Sequence, residues 1–171
     1  MHQRGFTIVE ILIVIVIIGV LASLVVFAYT GIQDRARTAK SISDQKELTK
    51  AIVSARNATD KTLLEITGNI WTADGCYSQT SGTDLATLSQ SDPCWTSYLA
   101  TLDTISTASG IDVRNLKDSL GRPYYIDENE GEDPLDQCQQ DIIATYSYPF
   151  EYYGSNSNVQ YLPLSLPASA C

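Results

Sequence analysis

The chain has 171 residues, 44% of them hydrophobic, and a net charge of -9, which is the size of one domain with the apolar content of a folded protein. An acidic chain of this kind is a poor partner for nucleic acid, whose affinity rests on Lys and Arg contacts with phosphates. His2 is the only histidine, no Gly-rich phosphate loop occurs, and the carboxylates show no spacing that suggests a cleft, so catalysis is not expected.

Residues 1–5, Met-His-Gln-Arg-Gly, form a short polar leader with one firm positive charge. From Phe6 to Ala28 every residue is apolar, small or hydroxylated except Glu10, and Val, Ile and Leu dominate. A helix over this stretch rises roughly 34 Å, enough to cross a hydrocarbon core about 30 Å thick. The run is longer than the apolar part of a secretory signal peptide, and no Ala-x-Ala site ends it. A membrane span is therefore expected over 6–28.

Glu10 is the residue in this span that asks for a physical reason. A carboxylate inside hydrocarbon costs about 2.5–3.5 kcal/mol and usually has a partner and a task. A chance polar residue in an ordinary signal anchor is the plain alternative. A cut after Gly5 would make Phe6 a charged N-terminus four residues from Glu10. The new amine and the carboxylate could then pair within one helix, or between neighbouring subunits offset along the axis, which would be a mechanism of assembly.

Between Tyr29 and about Ala58, Ile32, Ala36, Ala39, Ile42, Leu48, Ile52 and Ala55 recur near helical spacing among Lys, Arg, Asp and Gln. This predicts an amphipathic continuation of the same helix. Asn57-Ala58-Thr59 matches a glycosylation acceptor, a triplet that is common by chance. Residues 59–121 are rich in Thr, Ser, Asp and Gly and predict loops and short helices. Within them, Asp118-Ser119-Leu120-Gly121 suits a type I turn, and Pro123 can open a strand without a donor.

Seven of the ten tyrosines lie between Tyr124 and Tyr161. The stretches 122–127, 142–153 and 159–166 are β-branched and aromatic, and Gly154 to Asn158 is a turn sequence. A small antiparallel sheet over 122–171 is expected, with Pro149 bending the middle strand and one face covering the apolar stripe of the helix. The fold class is α+β: a long N-terminal helix, part membrane span and part amphipathic, packed on that sheet.

The acidic run Asp127 to Asp133, followed by Asp136, offers hard oxygen ligands around a glycine turn, and Asp127, Asn129, Asp133 and Asp136 are the candidate calcium ligands. It is not an EF-hand, because Cys138 stands where the bidentate Glu belongs. A solvated acidic loop is the commoner meaning. No other cofactor is expected.

Cys76, Cys94, Cys138 and Cys171 all follow the span in no zinc-like spacing, which points to disulfides in an oxidising compartment. Three pairings are open. Cys76 with Cys94 and Cys138 with Cys171 is favoured because each closes a loop around one segment. Charge is also divided: residues 34–61 hold seven basic and four acidic side chains, and residues 62–171 three basic and fifteen acidic. A basic stem thus adjoins an acidic head. Either the head is kept soluble and the stem faces the membrane surface, or stems and heads of neighbouring copies attract.

The segment Gly5-Phe6-Thr7-Ile8-Val9-Glu10-Ile11-Leu12-Ile13-Val14 resembles the processing site of type IV prepilins and pseudopilins, and the match runs on through Gly19, Ala28 and Tyr29. The resemblance implies cleavage after Gly5 by a prepilin peptidase, methylation of the Phe6 amine, and recruitment of a neighbour's Phe6 amine by Glu10. It implies a homo-oligomeric filament, an assembly platform and motor, and passage from a single-pass precursor in the cytoplasmic membrane to an extracellular pilus. Phe27 stands where many pilins carry a helix-breaking proline, which removes one cause of local unwinding and leaves Gly19 as the other. A Cys138–Cys171 bond would resemble the stapled C-terminal loop of many pilins. Asp118 to Tyr124 is similar to the Asp-x-x-Gly-x-Pro-Tyr stretch of major pseudopilins of type II secretion, where a calcium site follows. The main reading is a type IV pilus subunit serving adhesion, twitching motility or a related surface function. The alternative is a pseudopilin of a type II secretion or competence system. A single-span anchor for a receptor or enzyme domain explains neither Glu10 nor the Gly5-Phe6 junction. Direct DNA binding is disfavoured except at a patch of Arg114, Lys117 and Arg122.

Overall fold

The computed structural model describes the backbone of residues 7–152 and 154–165, and the side chains of all of these except 25–30. In chain order the elements are α1 (Ile8–Thr59), α2 (Leu63–Thr67), α3 (Asp74–Tyr77), a 3-10 turn (Leu85–Thr87), α4 (Pro93–Ser109), β1 (Tyr124–Asp127), β2 (Ile142–Thr145) and β3 (Ser157–Tyr161). The chain divides into two compact units, one up to Ala39 and one from Lys40.

The first unit is the N-terminal part of α1. Its described Val, Ile and Leu side chains from Ile8 to Leu24 are all about half exposed or more, so apolar surface faces outward around the helix. Ser23 returns its hydroxyl to the Val20 carbonyl at 2.7 Å, and Thr38 to the Asp34 carbonyl at 3.0 Å. Such bonds let hydroxyl side chains sit in a helix without an outside partner.

The second unit has two cores on the two faces of one sheet. The strands run antiparallel in the order β1-β2-β3. Alternation sends Tyr124 and Ile126 of β1 and Ile143 of β2 to one face, where Leu48, Ala51 and Ile52 of α1 meet Trp95, Tyr98, Leu102 and Ile105 of α4. Tyr125 and Ala144 turn to the other face with Tyr146 and Phe150, against Ala73, Cys76, Leu85 and Cys94. The expected packing of a helix on a small antiparallel sheet is what the fold shows.

Three details differ from the sequence expectation. Residues 59–121 contain a 17-residue helix, α4, started by Asp92, whose carboxylate accepts from the Cys94 N–H, with Pro93 in the first turn. It is ended by Gly110 in the left-handed region. The middle strand stops at Thr145, so Pro149, which follows a cis peptide bond, lies beyond it and bends no strand. The last strand begins at Ser157 inside the expected turn, where Asn158 takes a positive φ of 51°.

Cys76 and Cys94 are bonded, joining α3 to the start of α4. The two backbones come so close that a Cβ on Gly75 would stand 2.5 Å from the Pro93 carbonyl oxygen. Only glycine fits there. Cys138 is also disulfide-bonded, and Cys171 lies outside the described residues.

Candidate functional site: the N-terminal end of α1

Thr7 stands directly before the first helical residue, Ile8. Its hydroxyl accepts from the Glu10 backbone N–H at 3.3 Å, while Glu10 Oε2 accepts from both the Thr7 N–H and the Thr7 hydroxyl at 2.8 Å. This reciprocal pair is a Thr-x-x-Glu capping box. It occupies donors that a helix start leaves without partners, and it sets the carboxylate against the positive end of the helix dipole. Both bonds to the carboxylate end on Oε2, so they fix its orientation without involving Oε1.

Gly5 and Phe6, the expected processing junction, lie outside the described residues. Among the described residues, no helix is long and apolar enough to cross a membrane. The apolar run is described with its side chains over Ile8 to Leu24. A helix that is apolar on every side has no use for water on any of them, and is at home in lipid or among copies of itself.

The other sequence candidates lie in the head. Asp118 builds the turn expected of it: one carboxylate oxygen accepts from the Leu120 and Arg122 N–H groups at 2.9 and 2.8 Å. The other oxygen holds the Arg122 guanidinium at 2.6 Å. Arg122 donates onward to the Ser147 and Tyr146 carbonyls, which ties the turn to the end of β2. Arg122 is thus buried in ion pairing. Arg114 is held by Asp103 and Asp112, and Lys117 lies over the Trp95 ring at 4.9 Å. The three do not form a free patch for phosphates.

The four calcium candidates have local roles. The Asp127 carboxylate accepts from the Tyr125 hydroxyl at 2.7 Å, and burial pushes its pKa up. The Asn129 amide donates to the Gln140 carbonyl, Asp133 accepts from the Leu135 N–H, and Asp136 accepts from the Gln139 amide. Among the described residues, no three His, Cys, Asp or Glu side chains are gathered for a metal ion.

Two buried polar groupings were not foreseen. Arg56, near the end of α1, reaches Asp141 and stands 3.1 Å from Glu130, and it donates to the Pro163 carbonyl at 2.6 Å. Glu130 in turn accepts from the Ser165 N–H and hydroxyl. Burial, with Glu130 adding to it, pushes Asp141 up to about 6. Glu128, fully buried, accepts from the Thr72 N–H at 2.8 Å and is bonded to the Thr72 hydroxyl. Burial pushes its carboxyl up to about 8. The partners in each grouping are far apart in the sequence, so no local pattern announced them. Thr7 was given no role from the sequence either, although its Thr-x-x-Glu spacing with Glu10 is the local signal that could have found the box.

Residues 1–26 match the model of the prokaryotic N-terminal methylation motif. This N-terminal segment thus carries the processing and methylation motif that the sequence suggested. Among curated proteins, it is similar to type II secretion system core protein G of Escherichia coli (strain K12), at 52% identity over 58 residues, 34% of this chain and 35% of that protein. The protein of the same name in Dickeya chrysanthemi is 57% identical over 43 residues, 25% of this chain and 28% of the relative. That of Aeromonas hydrophila is 44% identical over 59 residues, 34% and 36% of the two chains. The matched segment thus spans about a third of the length of these relatives. No solved structure matches the chain significantly.

Proposed function

We propose that this chain is a filament subunit of the pseudopilin kind, working in a type II secretion system. What carries the reading is the conjunction of the methylation motif over residues 1–26 with relatives that bear the name of a secretion core protein. These findings favour the secretion reading, given as the alternative above, over the type IV pilus. The role is structural and not catalytic.

In this reading, residues 6–28 hold the precursor in the cytoplasmic membrane, a prepilin peptidase cuts after Gly5, and the Phe6 amine is methylated. The capping box then has a mechanical consequence. Glu10 is oriented by Thr7 on one oxygen and meets the Phe6 amine of an adjacent copy with the rest of its carboxylate, so each added copy neutralises a charge that is costly in hydrocarbon. The apolar surface of Ile8 to Leu24 passes from lipid to contact with other stems, while the head faces outward. The Cys138–Cys171 bond closes the head's last segment.

The reading is tested by removing the chain from the cells that make it and measuring two things: export of folded substrates across the outer envelope, and long fibres in sheared surface fractions. Loss of export with no loss of surface fibres is expected. Unchanged export with lost fibres would return the chain to the pilus reading.

A further inference from the structure

The outward ridge of α1 in the second unit carries Ile42, Lys46 and Lys50, four residues apart and all exposed. Ile42 keeps 44% of its surface in water. Neither lysine has an ion-pair partner among the described residues, whereas Lys40 is held by Asp44 on the flank and by the Lys117 carbonyl. Glu47 lies exposed on the other flank. This helix is otherwise well matched, with Leu48, Ala51, Ile52 and Ala55 buried in the core.

Elsewhere in the same unit, the segment between β1 and β2 forms a tongue with opposite character. Its base is closed by the Gly131 N–H on the Gln137 carbonyl at 2.9 Å, and its tip by the Asp136 N–H on the Asp133 carbonyl at 3.1 Å. Leu135 at the tip is 95% exposed, the largest exposure among the described large hydrophobic side chains. Around it stand Glu132, Asp133 and Asp136, none of which has a cationic partner among the described residues. The tongue is anchored below by Glu130 and Asp141 on Arg56, so an apolar residue is held in water on a fixed acidic mount.

One chain therefore presents a basic ridge with an exposed isoleucine and an acidic tongue with an exposed leucine, and they do not satisfy each other within the chain. Opposite potentials set register between surfaces and suppress wrong contacts. We propose that the ridge Ile42, Lys46, Lys50 of one copy seats the tongue Glu132 to Asp136 of a second copy, with Leu135 covering Ile42 and the acids facing the two lysines. This rests on the filament reading and names a contact that would fix the register of neighbouring heads.

The test uses the full chain in the cells that make it. Self-association is read as chain recovered in sheared or pelleted assemblies, and a photoreactive residue at position 135 reports the contact by mass spectrometry, with isotope-labelled and unlabelled copies mixed. Crosslinks from position 135 to the 42–50 peptide of another copy are expected. The double reversal K46E with K50E is expected to lower the assembled fraction about ten-fold, since it sets like charges face to face. Adding E132K with D136K is expected to restore it. An unchanged thermal midpoint of the head checks that the reversed chain is folded. Assemblies that form as well with K46E and K50E as without, or a fourfold reversal that restores nothing, would overturn the contact while leaving the filament reading in place. Wild-type chain that never self-associates would overturn both. Crosslinks from position 135 confined to its own chain or to a different protein would overturn the contact alone.

Discussion

At the residue scale, the carboxylate of Glu10 and the hydroxyl of Thr7 act together. A cap of this kind is worth about 1 kcal/mol, so Thr7→Val should raise amide hydrogen exchange at Ile8 to Ile11 by a factor of about five in detergent micelles. Exchange unchanged from wild type would show that the box contributes nothing to the helix start. Glu10→Gln keeps the shape of the box but removes the charge, and it is expected to leave membrane insertion intact while reducing recovered assemblies strongly. Glu10 was legible because a lone carboxylate among aliphatic residues breaks a pattern. The Arg56, Glu130 and Asp141 grouping was not, because Arg56 and Asp141 lie 85 residues apart and only the folded chain brings them together.

At the element scale, Glu128 ties the end of β1 to Thr72 and makes the head sensitive to pH. Its folded carboxyl is raised to about 8 from an ordinary 4.5. Between these values the unfolded chain has released this proton and the folded chain has kept it, so the contribution to stability is greatest below 4.5 and falls as pH rises to 8. The size is on the order of a few kcal/mol. Glu128→Gln should flatten the fall in thermal midpoint from pH 5 to pH 8, as read by circular dichroism; an equally steep fall in the variant would place the sensitivity elsewhere. The Cys76–Cys94 bond closes a separation of 18 residues, for which loop entropy gives about 3 kcal/mol. Replacing both cysteines by serine should lower urea stability by about that much. Among the elements, α1 and the three strands were legible from periodicity and from dense tyrosine and β-branched residues. The helix α4 was missed because Thr and Ser occupy seven of its 17 positions, two of them, Thr101 and Ser106, on its buried face, which blurs the apolar stripe. Its start and stop were nonetheless written in Asp92-Pro93 and Gly110, and its apolar spacing in Trp95, Tyr98, Leu102 and Ile105.

At the scale of the whole molecule, two units of different chemistry share α1. One exposes apolar side chains around a helix and starts with a capped carboxylate; the other buries two cores on the faces of a three-stranded sheet and carries the acidic surface. A subunit that is stored in lipid and then packed among its own copies requires that division. The proposed function also requires that the leader be removed, because the pairing proposed for Glu10 depends on an amine that would exist only after the cut. The most direct measurement is therefore the mass of the N-terminal peptide from protein isolated from the cells that make it. The account predicts a chain that begins at Phe6 with one methyl group on its amine. A chain that keeps Met1, or one cut between Ala22 and Ala28, would contradict it.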